Sequence, residues 1–263
     1  MATIHVSSLV RQSLRLSWQR KALWIPAAGI PLKGQLFYWL SDGIMEFEVR
    51  HPHAPWSAVE WIANLLSYLV TAFLLVIVTH EALTVLQDGT VSLRRSLSRA
   101  SSKLATIAGC GALLWIEEAV SLAAKDAARP LSSLLHLVGL AWGFSLYLVF
   151  PILSREEESG TAAILRAWHL IRRCWRQRLW GMFQLSLVIV LPATALFMVA
   201  FFSAFAGKPI TPHPTFVYVW WLAISLISPF FIAADQLFDC ALYLAVADDQ
   251  PTQVPPVPQP QAA

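Results

Sequence analysis

Long apolar runs, separated by short polar stretches, follow one another along most of this chain. A bilayer core of about 30 Å needs about 20 mostly apolar residues per crossing helix. On that measure the pattern predicts crossing helices at 22–41, 58–86, 104–124, 131–153, 181–206 and 215–246. The first is the weakest, interrupted by Pro26, Pro31 and Lys33. Pro192 and Pro229 fall inside the fifth and sixth, where a missing amide N–H predicts kinks.

Three polar stretches share a different pattern. Leu9–Lys21, Thr90–Leu104 and Thr161–Leu179 are basic and precede the first, third and fifth apolar runs. The second and third begin alike, at Gly89-Thr90 and Gly160-Thr161, so that Arg95 corresponds to Arg166; Trp18 and Trp175 occupy similar basic settings. This suggests three helical hairpins, each led by a basic helix. Ile164, Trp168, Ile171, Trp175 and Leu179 advance by three or four residues, as do Leu93, Leu97, Ala100 and Leu104, which predicts one apolar stripe on each helix. Arg166, Arg173 and Arg176, and likewise Arg95 and Arg99, fall off those stripes. Two arrangements fit. The helices could lie in the membrane interface with their arginines on lipid headgroups, or each could extend the span that follows it and pack on its neighbours.

Composition agrees with a lipid setting. Of 263 residues, 57% are hydrophobic and 13% charged, against about 25% charged in a soluble domain. The 12 tryptophans suit the membrane–water boundary. The net charge is only +3, but the three basic stretches with Arg155 hold 14 of the 19 lysines and arginines. Positive-inside bias then places all three, and both termini, in the cytoplasm. That parity requires 22–41 to cross. The expected fold class is therefore all-α integral membrane: a basic N-terminal helix over 1–21, a six-span domain over 22–247, and a Pro/Gln-rich tail over 248–263 that reads as disordered. No cleavable signal pattern is recognised, and a bacterial inner membrane is the expected location. Cys110, Cys174 and Cys240 lack metal or redox spacing and read as small hydrophobes.

Ionisable residues at membrane depth are candidates for function. The candidate polar site comprises His80, Glu81, Glu117, Glu118, Asp235 and Asp239, with His136 beside them in the fourth run. Asp235 and Asp239 share a helix face at i, i+4 spacing. The acids could form a cation or proton site, anchor the basic helices through pairs with arginine, or sit hydrated near the inner boundary. His80-Glu81-Ala82-Leu83-Thr84 begins like a zinc-binding H-E-x-x-H helix but has threonine in place of the second histidine. Asp235-x-x-x-Asp239 echoes the paired aspartates of membrane phosphoalcohol transferases without the upstream half of that motif. Glu156-Glu157-Glu158 is placed to cap the third basic helix against its dipole. The outer connection bearing Asp42, Glu46, Glu48, His51 and His53 reads as a solvated loop. No complete catalytic set, metal site, cofactor motif or nucleic-acid footprint is recognised.

The stretch from about 70 to 247 resembles a family of uncharacterised bacterial six-span proteins. It is distantly similar to the membrane domain attached to some glycerophosphodiester phosphodiesterases. The likeness rests on VTHEALTVLQDGTVSLRRSL, on WGFSLYLVFPILSREEESGTAAILRAWHLIRRCWRQRLWGMF and on the terminal CALYLAV. It implies the fold and no mechanism, since no phosphodiesterase domain accompanies it here. The function expected is that of a non-enzymatic scaffold or accessory subunit contacting anionic lipid, or a partner in membrane or cytoplasm, through Arg95, Arg99, Arg166, Arg173 and Arg176. The alternatives are a small transporter or channel using the intramembrane acids and a membrane-embedded enzyme acting on lipid.

Overall fold

The computed structural model describes residues 5–50, 56–126, 147–155, 160–205 and 214–247. Almost all of these are helical, with no strand among them. The helices are α1 (Val6–Gln19), α2 (Trp24–Arg50), α3 (Trp56–Asp88), α4 (Leu93–Ser102), α5 (Leu104–Asp126), α6 (147–155), α7 (Gly160–Phe205) and α8 (Pro214–Ala247). Most of the predicted fourth span, with His136, lies outside the described residues. So do Glu156–Glu158, His51, His53, the tail, and the side chains of Glu117, Asp42, Glu46 and Glu48.

Among the described residues, two stretches, Trp61–Asp88 and Ser225–Ala247, are long and apolar enough to cross a membrane. They correspond to the second and sixth predicted runs. The doubtful first run is one helix of 27 residues with Pro31 inside it. Pro26 sits in its first turn, where a missing N–H leaves no hydrogen bond unmade.

The three basic stretches differ from one another. A short 3₁₀ turn at Lys21–Leu23 divides α1 from α2, and Lys103 divides α4 from α5. The third basic stretch continues without a break into the fifth apolar run, giving a helix of 46 residues, about 69 Å at 1.5 Å per residue. It is thus an extension of the helix that follows it.

Helix α3 is central, packing against α2, α4, α5 and α8, while α1 packs on α7 and α8. Leu9, Val10, Ser13, Leu16 and Ser17 form the buried stripe of α1. The Ser17 hydroxyl donates to the Phe230 carbonyl at 2.9 Å, and Trp24 Nε1 donates to the Ser17 carbonyl at 2.9 Å. Trp18, Trp24 and Phe230 meet edge to face or tilted, with centroids 5.7–6.1 Å apart. In α8, Pro229 supplies no N–H to the Ser225 carbonyl four residues earlier; the Ser228 hydroxyl donates to it instead, at 3.2 Å. Helix α3 ends at Gly89, whose φ of 68° is the left-handed conformation that closes many helices. That reversal lays α4 back against α3.

On α7 the face turned to the bundle is not the expected aromatic stripe. Ala163, Ala167, Leu170, Ile171, Cys174 and Arg178 are buried, whereas Trp168 and Trp175 are 41% and 51% exposed. On α4, Ser96 and Ala100 are buried and Leu93 and Leu97 exposed. Small residues let helix backbones approach, and the larger apolar side chains are left outside the contact.

Candidate functional site

Three polar clusters occupy this frame, each built where a helix presents a charge to its neighbour. The first joins α7 to α8. Arg178 sits four residues after Cys174 on the buried stripe of α7, and only 1% of its side chain is exposed. Its Nε lies 2.6 Å from Asp239 Oδ1, a contact of charge more than an aligned hydrogen bond. The aligned bond runs from Nη2 to Asp239 Oδ2 at 3.0 Å. Nη1 and Nη2 also donate to the two carboxylate oxygens of Asp235 at 3.3 and 3.4 Å. Tyr147 and Phe238 rings flank the guanidinium, their centroids 5.2 and 5.8 Å from Cζ. Burial alone would lower the Arg178 pKa, but Asp239 and then Asp235 outweigh it and hold the guanidinium firmly charged. One guanidinium thus serves two carboxylates that share a face of α8, as their spacing predicts. Asp239 is sealed, whereas the Asp235 side chain is 30% exposed.

The second cluster joins α3 to α4. Glu81 is fully buried. Its Oε2 accepts the Ser92 backbone N–H at 2.9 Å, and its Oε1 accepts the Ser96 hydroxyl at 2.7 Å. A carboxylate thereby covers the N-terminal end of α4, where unpaired amides and the helix dipole favour negative charge. The Ser96 Oγ is also 2.7 Å from His80 Nδ1. Because the hydroxyl proton goes to Glu81, Nδ1–H must donate to Ser96, which fixes the tautomer of a neutral His80. His80 also lines an open cleft of about 640 Å³, shared with Ser92, Arg94, Arg95, Ser98, Arg99 and Ser102.

The third lies among α2, α3, α5 and α6. Lys33 Nζ donates to Thr71 Oγ1 at 2.6 Å and to the Ser67 carbonyl at 3.4 Å. Thr71, Tyr68, Glu118 and Tyr147 line a cavity of about 210 Å³ with Leu75, Leu114 and Phe150.

Of the residues singled out from sequence, Asp235 and Asp239 come together on Arg178. His80 and Glu81 come together on Ser96, and Glu118 stands apart from both. Arg95 and Arg99 line the cleft, while Arg173 and Arg176 are exposed on α7 and Arg166 is half-buried. Sequence reasoning missed Arg178, Ser92, Ser96 and Tyr147 as site residues. Arg178 had a signal: it continues the small-residue stripe Ala163, Ala167, Leu170, Cys174.

Comparison with known families adds one finding. Residues 56–246 match DUF6159, a family of unknown function. Comparison with curated proteins and with solved structures gave no match.

Proposed function

The chain belongs to DUF6159, a family of unknown function, and from that premise we propose that it is a non-enzymatic membrane scaffold or accessory subunit. In this reading six spans cross a bacterial inner membrane, both termini are cytoplasmic, and the basic segments α1, α4 and the first half of α7 meet the anionic leaflet. One observation carries it. Along α7, exposed Trp168 and Trp175 stand beside exposed Arg172, Arg173 and Arg176, with the Arg172 guanidinium 5.1 Å from the Trp168 ring centroid. Indole beside guanidinium suits a boundary where the ring meets acyl chains and the charge meets phosphates. Each basic residue near such a surface contributes about 1 kcal/mol. The sealed states of Glu81 and Asp239 fit the same reading, since both are held in hydrogen-bonded or ion-paired clusters that fasten helices together.

The test uses the full chain in nanodiscs with spin-labelled phosphatidylglycerol or phosphatidylcholine. The immobilised fraction of the anionic lipid should exceed that of the neutral one. The excess should shrink in Arg172→Gln/Arg173→Gln/Arg176→Gln and at high salt. Equal immobilisation of both lipids by the natural sequence removes the proposal.

The cavity beside Glu118 favours a second reading, a small transporter or channel. Asp235, part-exposed and adjoining Tyr147 through Arg178, would be its other polar group. Replacing Asp235 by Asn should then abolish flux in proteoliposomes. Unchanged flux excludes it.

A further inference from the structure

We propose that the cleft between α3 and α4 is a binding site for a phosphate group carried on a small polyol, supplied by a lipid headgroup. The proposal deepens, and rests on, the reading of α4 as a lipid-facing segment. Arg95, Ser98 and Arg99 follow at i, i+3 and i+4 and so share one side of α4, with Arg94 and Ser92 alongside. No carboxylate is among the described residues lining the cleft. Glu81, next to His80 in the chain, is engaged by the Ser92 N–H and the Ser96 hydroxyl. His80, held by Nδ1 on Ser96, is also among the lining residues.

The lining offers the Arg94 and Arg95 guanidiniums, the Ser92, Ser98 and Ser102 hydroxyls and an imidazole around one opening. Guanidiniums match phosphate oxygens in a bidentate fork, and hydroxyls satisfy lone pairs that remain. A cleft of about 640 Å³ exceeds what bare phosphate fills, which leaves room for a glycerol-sized group. The flank of α4 beside it presents exposed Leu93 and Leu97. An apolar flank next to an anion site suits a headgroup still attached to its acyl chains better than a soluble metabolite.

The experiment offers four probes to the full-length protein. Inorganic phosphate and glycerol 3-phosphate are titrated in detergent micelles; nanodiscs contain phosphatidic acid or phosphatidylcholine alone. Binding is read by phosphorus NMR and by lipid retention. The natural sequence should bind phosphatidic acid saturably and not phosphatidylcholine. Arg95→Lys keeps the charge and loses the fork, so its affinity should fall by about tenfold. Arg94→Gln/Arg95→Gln should fall further.

Binding confined to phosphatidic acid assigns the site to lipid. Equal affinity for glycerol 3-phosphate supports the phosphate chemistry and overturns the lipid source. Non-saturable binding overturns the site, as does equal binding by Arg95→Lys and the natural sequence. If anionic lipid still gathers at α7 in that case, the broader lipid-contact reading survives. If the cleft binds but α7 shows no anionic preference, the broader reading fails and the cleft stands.

Discussion

Arg178 on α7 and Asp239 on α8 bury opposite charges against each other, Nε to Oδ1 at 2.6 Å, with 1% and 0% of their side chains exposed. Removing Arg178 would leave the buried Asp239 carboxylate uncompensated, at a cost of about 3–5 kcal/mol, and Arg178→Met should lower stability by about that much. Asp239→Asn leaves Arg178 its Asp235 carboxylate and should cost less than that, as read by denaturant titration in mixed micelles. Asp235→Asn should cost less, because its carboxylate is partly exposed and lies farther away, at 3.3 Å. Removing both charges in Arg178→Met/Asp239→Leu should be milder than Arg178→Met alone. An Asp235→Asn variant as damaged as Asp239→Asn would show that burial does not rank the two carboxylates.

Glu81 fastens α4 to α3 through two acceptor atoms. Glu81→Ala leaves the Ser92 N–H and the Ser96 hydroxyl without their partner. The penalty for such groups is about 1–3 kcal/mol. It should appear locally, as faster hydrogen exchange of α4 amides, while α8 amides keep their protection. Glu81→Gln retains an acceptor oxygen and should lie between alanine and the natural residue. Uniform acceleration across all helices would mean that α4 is not a separately anchored unit.

Gly181 and Phe238 show how closely α7 approaches α8. A Cβ on Gly181 would overlap the Phe238 ring, which is itself fully buried. Overpacking of this kind costs about 1–3 kcal/mol, so Gly181→Ala should destabilise the bundle despite alanine's better helix propensity. Phe238→Leu should be destabilising alone, yet relieve part of the Gly181→Ala defect. A strictly additive double-mutant cycle would contradict a steric cause.

The pairing of Asp235 with Asp239 was legible in sequence, because i, i+4 spacing fixes a shared face. Arginine of a basic segment was a foreseeable partner, but which arginine was not. Hydrophobic periodicity favours the stripe through Trp168 and Trp175, whereas the bundle selects the small residues Ala163, Ala167 and Cys174, which allow close approach. Arg178 travels with that second stripe. The Glu81–Ser96 contact spans a chain reversal at Gly89, and periodicity carries no information across a reversal. The prolines of 22–41 leave open from sequence whether it is one straight helix or a broken one; continuity through Pro31 reflects support from helices packed around α2, which intrinsic propensity does not count.

Cys174 makes the last prediction, one of pH. Its thiol is buried against the cluster at α7 and α8 and donates to the Leu170 carbonyl at 3.3 Å. Burial first, and the Asp239 carboxylate second, push its pKa from the usual 9.0 up to about 12. The folded state therefore holds its proton more tightly than the unfolded chain does. Stability from this group is fully present below pH 9, where both states are protonated, and is lost as pH rises from about 9 to 12. In the folded protein at pH 8, maleimide should label Cys174 far more slowly than after unfolding in sodium dodecyl sulfate, since the thiolate is the reactive form. Asp239→Asn removes one of the two causes, and where the variant remains folded its Cys174 should react faster. Mass spectrometry of the peptide containing Cys174 gives the rate directly. Native labelling as fast as in the unfolded chain would place the thiol outside the packed interface between α7 and α8.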